Sequence, residues 1–391
     1  MKRISTLIIG FILAFNLVTP PLGLAEREAE SDLDITAVSA ILMEPTSGKI
    51  IYEKNAHEKL RPASVTKVMT LLLIYDALED GSIKLEDEVV VSEHAASMGG
   101  SQVYLEPNEI QTVEDMLKCV AIASANDASV AMAEHIAGSE EAFVNKMNQR
   151  AKELGMEDTN FVNSNGLDED NHLTSAYDIA VMSRELITKY PEVFDYTTVW
   201  QDSIIHKTRH GEEEFGLTST NKLIKWYDGA TGLKTGSTSK AKYCLSGTAE
   251  RNGMQLIGVV MAAPDYKTRF HEVMKLLDYG FANCSIYKDD LKGKIINVIP
   301  VKKGVKEEVN CVVKDDFGHV LAKEDSQKEV TKQVVIPESI EAPIKKGEKI
   351  GDLIYNIDGN EIGKVDIIVD EDIDVATFGF QFNKVMKMMF K

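Results

Sequence analysis

A serine and a lysine three residues apart can supply a nucleophile and a base. Ser64 and Lys67 have this spacing in segment 61–67, which leads into an apolar run that stops before Gly81. A proline in the first turn and a glycine after the last turn are typical of a helix, and the apolar run predicts that this helix is buried. Because residues three apart share one helix face, the Lys67 amine can take the proton of the Ser64 hydroxyl.

The same spacing recurs along the chain, so it does not identify the nucleophile by itself. The other serines that precede a lysine by three residues are Ser219, Ser237, Ser239 and Ser285. Ser64 differs from these because it begins a predicted buried helix and because suitable partner segments follow it. We therefore take Ser64 as the candidate nucleophile.

Three further segments carry groups that can complete a site around this serine. Ser124 and Asn126 lie in a Ser-Ala-Asn sequence at a break between two helical segments, where side chains can point into a cleft. The Lys-Thr-Gly sequence at 234–236 lies in a predicted strand, and its glycine lets a substrate backbone approach closely. The polar loop 165–168 is expected to rim the site.

The remaining patterns predict the elements that position these segments. Residues 35–53 alternate as a β-hairpin, several helical stretches follow, and strands return between 232 and 262. This order predicts an α/β protein of the α+β type, with an antiparallel sheet covered by helices in residues 26–283. Residues 284–374 contain short β-type runs separated by charged turns, which predicts a small all-β domain.

Composition excludes several classes of function. The chain has 391 residues, enough for two domains, and its net charge of -19 argues against nucleic acid as a partner. Its eight histidines have no metal-ligand spacing, so we expect neither a metal nor another cofactor. Of the four cysteines, Cys119 and Cys244 are predicted to be buried thiols, and a bridge between Cys284 and Cys311 stays open.

The two ends of the chain predict export and membrane attachment. Lys2 and Arg3 precede an apolar run and a small-residue site near Ala25, which predicts a cleaved signal peptide over residues 1–25. An uncleaved anchor is the alternative, but the apolar run is shorter than the roughly 20 residues that a spanning helix needs. Residues 375–391 predict a cationic amphipathic helix, which favours a membrane surface over docking on the protein itself.

The candidate segments match an ordered set of motifs, with SVTK at 64–67, SAN at 124–126 and KTG at 234–236. On these motifs, and on its predicted ends and domains, nearly the whole mature chain resembles the penicillin-binding D-alanyl-D-alanine carboxypeptidases. It also looks like their sporulation-associated branch. The resemblance implies a β-lactamase/transpeptidase-like domain at the outer face of the bacterial cytoplasmic membrane. A peptidoglycan pentapeptide is the implied substrate, and β-lactam antibiotics are the implied covalent inhibitors.

The resemblance also implies a role for each residue of the site. Ser64 attacks the carbonyl between the two terminal D-alanines, Lys67 takes its proton, and Ser124 relays a proton to the leaving nitrogen. The backbone N–H groups of Ser64 and Ser237 form an oxyanion hole. The substrate-binding residues that it implies are Asn126, Lys234, Thr235, Gly236 and Ser237.

Two departures leave the preferred substrate open. Some members of the family have arginines near the site where residues 219–221 and 263–265 have none, and Arg269 is the nearest candidate. The loop around Asp168 has no clear deacylating glutamate, although Glu169 is close, which argues against a β-lactamase. The alternatives are a D,D-endopeptidase or a β-lactamase of the same fold and, from another class, a non-catalytic β-lactam-binding sensor of the envelope.

Overall fold

The computed structural model describes residues 33–208, 211–323 and 325–389. The predicted signal peptide lies outside the described residues.

Seventeen strands are present in the described residues. They are β1 Ser39–Met43, β2 Ile50–Lys54, β3 Glu88–Val90, β4 Ile110–Thr112, β5 Gln201–Thr208, β6 Gly211–Thr218, β7 Ala230–Thr238, β8 Lys242–Arg251, β9 Met254–Ala263, β10 Cys284–Asp289, β11 Ile295–Lys302, β12 Glu308–Val313, β13 Phe317–Ala322, β14 Val330–Val335, β15 Ile340–Glu341, β16 Lys349–Ile357 and β17 Asn360–Val369.

The described residues contain ten α-helices, of which the three four-residue helices were not predicted. They are α1 Lys67–Glu79, α2 Glu93–Ala96, α3 Val113–Lys118, α4 Asn126–Ala137, α5 Glu140–Glu153, α6 Ala176–Lys189, α7 Phe194–Thr197, α8 Leu223–Trp226, α9 Tyr266–Asn283 and α10 Phe378–Met389.

An antiparallel sheet in the order β2-β1-β9-β8-β7 organises the N-terminal part of the chain. Helices cover both of its faces. Successive residues of a strand point to opposite sides of the sheet, so two neighbouring residues of β8 show which helix lies on each face. On β8, the Ser246 hydroxyl lies 2.8 Å from the Ser183 hydroxyl of α6, whereas a Cβ on Gly247 would lie 2.6 Å from Val273 of α9. The predicted α+β class, an antiparallel sheet covered by helices, is confirmed.

Helix α1 runs through the centre of this part of the protein. Residues 65–75 are all buried, as expected for a segment that is apolar on every face. A short 3₁₀ turn, Ala63–Thr66, precedes the helix, so Ser64 lies in the turn that leads into α1. Lys67 is the first residue of α1 and shares its burial.

The chain beyond α9 contains two further sheets. Six strands pair in the order β14-β16-β17-β12-β11-β15, and β10 pairs with β13. A separate apolar cluster that includes Cys311, Phe317, Tyr355 and Ile367 lies among these strands. Between β10 and β17, the described residues contain strands and turns but no α-helix, in line with the all-β pattern of the sequence.

Three details add to or limit the sequence predictions. The β5–β6 hairpin was not predicted, because one of its strands is interrupted by three consecutive glutamates and lacks an apolar alternation. Cys284 and Cys311 are free thiols, so the open question of a bridge between them is answered in the negative. Among the described residues, no helix is long and apolar enough to cross a membrane.

The loop between α5 and α6 packs against the Ser64 turn through Gly166. This glycine has φ +89°, and a Cβ there would lie 1.9 Å from the carbonyl oxygen of Ala63. The backbones of the two segments are therefore in direct contact, and there is no room for a side chain at residue 166. Gly155 also has a positive φ, +73°, but nothing lies within 4 Å of its Cβ position.

We expect Gly166→Ala to destabilise the protein by about 2 to 5 kcal/mol, since it adds a steric clash to the cost of a positive φ. The displaced Ala63 carbonyl should also slow reactions of Ser64. The control, Gly155→Ala, meets only the cost of its φ, about 1 to 2 kcal/mol. Thermal unfolding and the rate of acylation by penicillin measure both effects, and equal losses in the two variants would contradict the packing argument.

Candidate active site

Ser64 and Lys67 are in direct contact at the start of α1. The Lys67 Nζ donates to the Ser64 Oγ at 3.1 Å, to the Asn126 Oδ1 at 2.6 Å and to the Asn165 carbonyl oxygen at 2.7 Å. Lys67 is fully buried and Ser64 is half-buried. The amine is therefore fixed by three oxygens, one of which belongs to the candidate nucleophile.

The surroundings of Lys67 favour its neutral form. Burial lowers the pKa of Lys67 well below its usual value, and the charge of Lys234 lowers this pKa further. The carboxylate of Asp127 acts in the opposite direction and raises the Lys67 pKa. A neutral lysine keeps two N–H groups, enough for the oxygens of Asn126 and Asn165, and has a lone pair that can accept the Ser64 proton, as a general base requires.

Ser124 reaches the site because the helix before it changes its hydrogen-bonding pattern. A π-helical turn, Cys119–Ala123, ends at Ser124, whose φ is +62°, and α4 begins only at Asn126. The Ser124 Oγ accepts a hydrogen bond from the Lys234 Nζ at 2.7 Å. Single π-helical turns inside helices are common at functional sites, because they redirect side chains that a regular helix would hide.

Asn126 is buried, and both ends of its amide are used within the protein. Its Oδ1 accepts from Lys67, and its Nδ2 donates to the Gly99 carbonyl oxygen at 2.7 Å. An amide nitrogen carries two N–H groups, so one remains for a substrate. The side chain thus fixes the Lys67 amine in addition to any contact with substrate.

Lys234 is the second buried amine of the site. It is 1 % exposed, and it donates to Ser124 and to the Thr235 carbonyl oxygen at 3.2 Å. Burial lowers the pKa of Lys234 to about 7, and the charge of Arg269 contributes to that shift. Its protonation therefore changes within the physiological pH range.

Strand β7 runs directly beside the Ser64 turn. A Cβ on Gly236 would lie 2.7 Å from the Pro62 carbonyl oxygen and 2.9 Å from the Ser64 nitrogen, so only glycine allows this approach. Ser237 follows and is exposed, and the Thr235 hydroxyl lies 2.7 Å from the Thr220 hydroxyl.

The motif residues open onto a cleft of about 320 Å³. The side chains and backbone that line it are Ser64, Ser101, Ser124, Ser219, Thr220, Lys222, Thr235, Gly236, Ser237, Tyr266 and Arg269. Lys67, Asn126 and Lys234 lie behind this surface, which leaves the two hydroxyl groups of Ser64 and Ser124 facing the opening.

Arg269 supplies a guanidinium to this cleft from α9. It is 4 % exposed and donates to the Gly236 carbonyl oxygen at 3.1 Å, and its charge centre lies 4.9 Å from the ring centre of Tyr266. Its Nε has no hydrogen-bond partner among the residues that the structure describes. Arg269, the arginine that follows residues 263–265 most closely in the sequence, is thus part of the cleft wall.

The loop 163–168 holds the Lys67 amine from the other side through contacts that no motif indicates. Thr70 donates to the Ser164 carbonyl oxygen at 2.5 Å, one residue before the carbonyl that accepts from Lys67. Glu140, in the first turn of α5, accepts from the Ser164 N–H at 3.0 Å and from its hydroxyl at 2.7 Å. Glu140 is distant from Ser164 in the sequence and belongs to no motif, so the sequence could not predict these contacts.

The same loop is tied to the end of β7. Thr238 donates to the Asp168 Oδ1 at 2.9 Å, which closes the rim of the site between loop and strand. Glu169 is exposed and is not among the described residues that line the cleft.

Comparison with known proteins identifies the family of the chain. Residues 26–265 match the family model described as D-alanyl-D-alanine carboxypeptidase, and residues 286–375 match the C-terminal domain of penicillin-binding protein 5. The chain is similar to the D-alanyl-D-alanine carboxypeptidase DacF of Bacillus subtilis, with 43% identity over 97% of this chain and 96% of that protein.

Solved structures resemble it as well. The chain superimposes on penicillin binding protein 5 from Haemophilus influenzae with a TM-score of 0.74 and 33% identity, covering 87% of this chain and 98% of that one. For a peptidoglycan synthesis regulatory factor, PBP3, from Streptococcus pneumoniae, the TM-score is 0.69 at 31% identity, covering 87% and 100%. The chain therefore belongs to the D-alanyl-D-alanine carboxypeptidase family.

Proposed function

We propose that this protein is a serine-type D-alanyl-D-alanine carboxypeptidase that removes the terminal D-alanine of peptidoglycan stem peptides through an acyl-enzyme on Ser64. The observation that carries the proposal is the buried Lys67 amine 3.1 Å from the Ser64 oxygen. Membership of the family supports the substrate class, and the ordered motifs support the reaction type.

Acylation begins when the neutral Lys67 amine accepts the Ser64 proton and the Ser64 oxygen bonds to the carbonyl carbon. The backbone N–H groups of Ser64 and Ser237 donate to the resulting oxyanion; removing one such donor from a serine hydrolase costs roughly 3 to 4 kcal/mol. Lys67 then returns the Ser64 proton through the Ser124 hydroxyl to the leaving nitrogen as the C–N bond breaks, so D-alanine departs and Lys67 is neutral again. In deacylation Lys67 takes a proton from the water that attacks the ester and passes it to the Ser64 oxygen as the ester C–O bond breaks.

Three groups are suited to the carboxylate of the terminal D-alanine. Lys234 contributes positive charge from behind Ser124, and Thr235 contributes a hydroxyl in the cleft wall. The buried guanidinium of Arg269 supplies a fixed second charge, and planar guanidinium groups suit carboxylates. A cleft with these cations favours a substrate that ends in a free carboxylate.

We infer that penicillins, which carry a carboxylate beside a reactive carbonyl, acylate Ser64 in the same way.

We also propose that the chain works at the outer face of the cytoplasmic membrane. The predicted signal peptide over residues 1–25 supports export. Helix α10 supports attachment, because Phe378, Phe382 and Met389 are 86%, 55% and 74% exposed, and exposed apolar side chains on an amphipathic helix favour a lipid interface. In this proposal, residues 26–283 form the catalytic domain and residues 284–374 an all-β domain that separates it from the lipid.

The nucleophile assignment is tested by covalent labelling with a fluorescent penicillin. We expect Ser64→Ala to abolish labelling, because among the described residues the Ser64 hydroxyl is the one hydroxyl that is hydrogen-bonded to the Lys67 amine. Ser285→Ala is the matched control: this serine also precedes a lysine by three residues, but it lies in β10. Labelling that persists in the first variant, or disappears in the second, would assign the nucleophile elsewhere.

The two buried lysines predict how acylation depends on pH. Lys67 must be neutral, so the rate rises with pH through its lowered pKa; Lys234 must be charged, so the rate declines as pH rises through about 7. Because the charge of Arg269 helps to lower the Lys234 pKa, we expect Arg269→Gln to move the alkaline decline to higher pH.

The measurement is the second-order rate constant of acylation by benzylpenicillin across the pH range. Arg269→Lys keeps the charge and serves as the control, with the decline near its original pH. An alkaline decline that stays in place, or moves to lower pH, in Arg269→Gln would contradict the electrostatic account.

Membrane attachment is tested by deleting residues 375–391. We expect the truncated protein to leave the membrane fraction and to keep its rate of penicillin acylation, since the cleft lies entirely in other elements. Within the full chain, Phe382→Glu should weaken binding to lipid vesicles, whereas Val335→Glu, at a comparably exposed apolar residue of β14, should not. Recovery of the truncated protein in the membrane pellet would rule out this helix as the anchor.

A further inference from the structure

Tyr104 combines a strained backbone with an exposed aromatic ring. Its φ is +63°, in the left-handed region that bulky residues rarely adopt, and its side chain is 66% exposed. A strained residue persists only where its surroundings hold it, and such residues cluster at binding and catalytic sites. No packing of the ring into the core accounts for the strain, so a role at the surface is the natural explanation.

The strain is imposed by the residue that follows the Ser-Ala-Asn motif. Asp127 is fully buried, and its Oδ2 accepts the N–H groups on either side of Tyr104, from Val103 at 3.1 Å and from Leu105 at 3.2 Å. The N–H of Asn126 donates to the Ser101 carbonyl oxygen at 2.7 Å. The loop that presents the tyrosine is thus fixed to the same element that holds Lys67.

Tyr104 belongs to a segment that also lines the cleft. Ser101 lines the cleft, and Tyr104 is three residues further on, so the two Cα atoms are at most about 11 Å apart. The ring meets Phe215 edge-on at 6.1 Å, and Phe215 precedes Ser219, another residue that lines the cleft, by four positions. Two chain segments that leave the cleft therefore converge on one aromatic pair.

We propose that Tyr104, supported by Phe215, is a binding subsite for the part of the stem peptide that precedes the two terminal D-alanines. The ring face takes an aliphatic side chain of that segment, because an exposed aromatic offers a large flat apolar surface. An extended peptide spans roughly 3.3 to 3.6 Å per residue, so residues two or three positions before the scissile bond reach the ring. The inference rests on the proposed carboxypeptidase function and names a determinant of its substrate preference.

The experiment compares two substrates and one inhibitor in the full chain. The substrates are N-acetyl-D-Ala-D-Ala, which ends before the subsite, and the pentapeptide L-Ala-γ-D-Glu-L-Lys-D-Ala-D-Ala, which extends across it; benzylpenicillin reports on the nucleophile alone. Tyr104→Asn removes the ring but tolerates a positive φ, and Tyr104→Phe keeps the ring. Val298→Asn removes an exposed apolar side chain from the distant strand β11 and is the matched control.

We expect Tyr104→Asn to lower kcat/KM for the pentapeptide by about threefold to tenfold, the range of one aromatic contact. Its kcat/KM for the short substrate and its acylation by benzylpenicillin should be unchanged, and Tyr104→Phe and Val298→Asn should behave as the parent. Equal losses on all three compounds, or no loss on any, would overturn the subsite. If the parent binds penicillin but releases D-alanine from neither substrate, the proposed function fails and the subsite falls with it.

Discussion

Two lysine amines share one buried site, and the difficulty of keeping both charged there governs the rest of the arrangement. Removing an ammonium group from water is costly, and a second positive charge nearby adds to that cost. The protein answers by surrounding Lys67 with three hydrogen-bonding oxygens and by connecting Lys234 to Ser124. Burial and the charge of Lys234, not these hydrogen bonds, drive the Lys67 amine toward its neutral form, in which it can act as a base for Ser64.

This constraint explains why so many unrelated elements meet at one point. The oxygens around Lys67 come from the Ser64 turn, from the start of α4 and from the loop 163–168. Each of these is fixed in turn by close backbone contact or by a carboxylate that accepts backbone hydrogen bonds, as at Gly166, Asp127 and Glu140. A shift of any of them would change both the position and the pKa of the amine. Rigidity of the scaffold is therefore part of the chemistry.

Much of the fold and the composition of the site could be predicted from the sequence, because both depend on strong local patterns. The almost unbroken apolar run predicts α1, and two strand-like runs joined by a turn predict the pair β8 and β9. The remainder depends on contacts distant in sequence: Glu140 carries no motif, the strain at Tyr104 arises from Asp127, and Arg269 reaches the cleft only because α9 packs on the sheet. The hairpin β5–β6 was not predicted, because the acidic strand β6 has no alternation of apolar and polar residues.

The central claim is that Lys67 is neutral because it is buried beside a second lysine. An NMR titration of the Lys67 side chain in protein labelled at lysine Nζ and Cε tests it directly, with the resonance assigned by its loss in Lys67→Ala. The account predicts a midpoint well below that of an ordinary lysine, and a rise of that midpoint when Lys234→Gln removes the neighbouring charge. A midpoint near the ordinary lysine value, unmoved by Lys234→Gln, would contradict it.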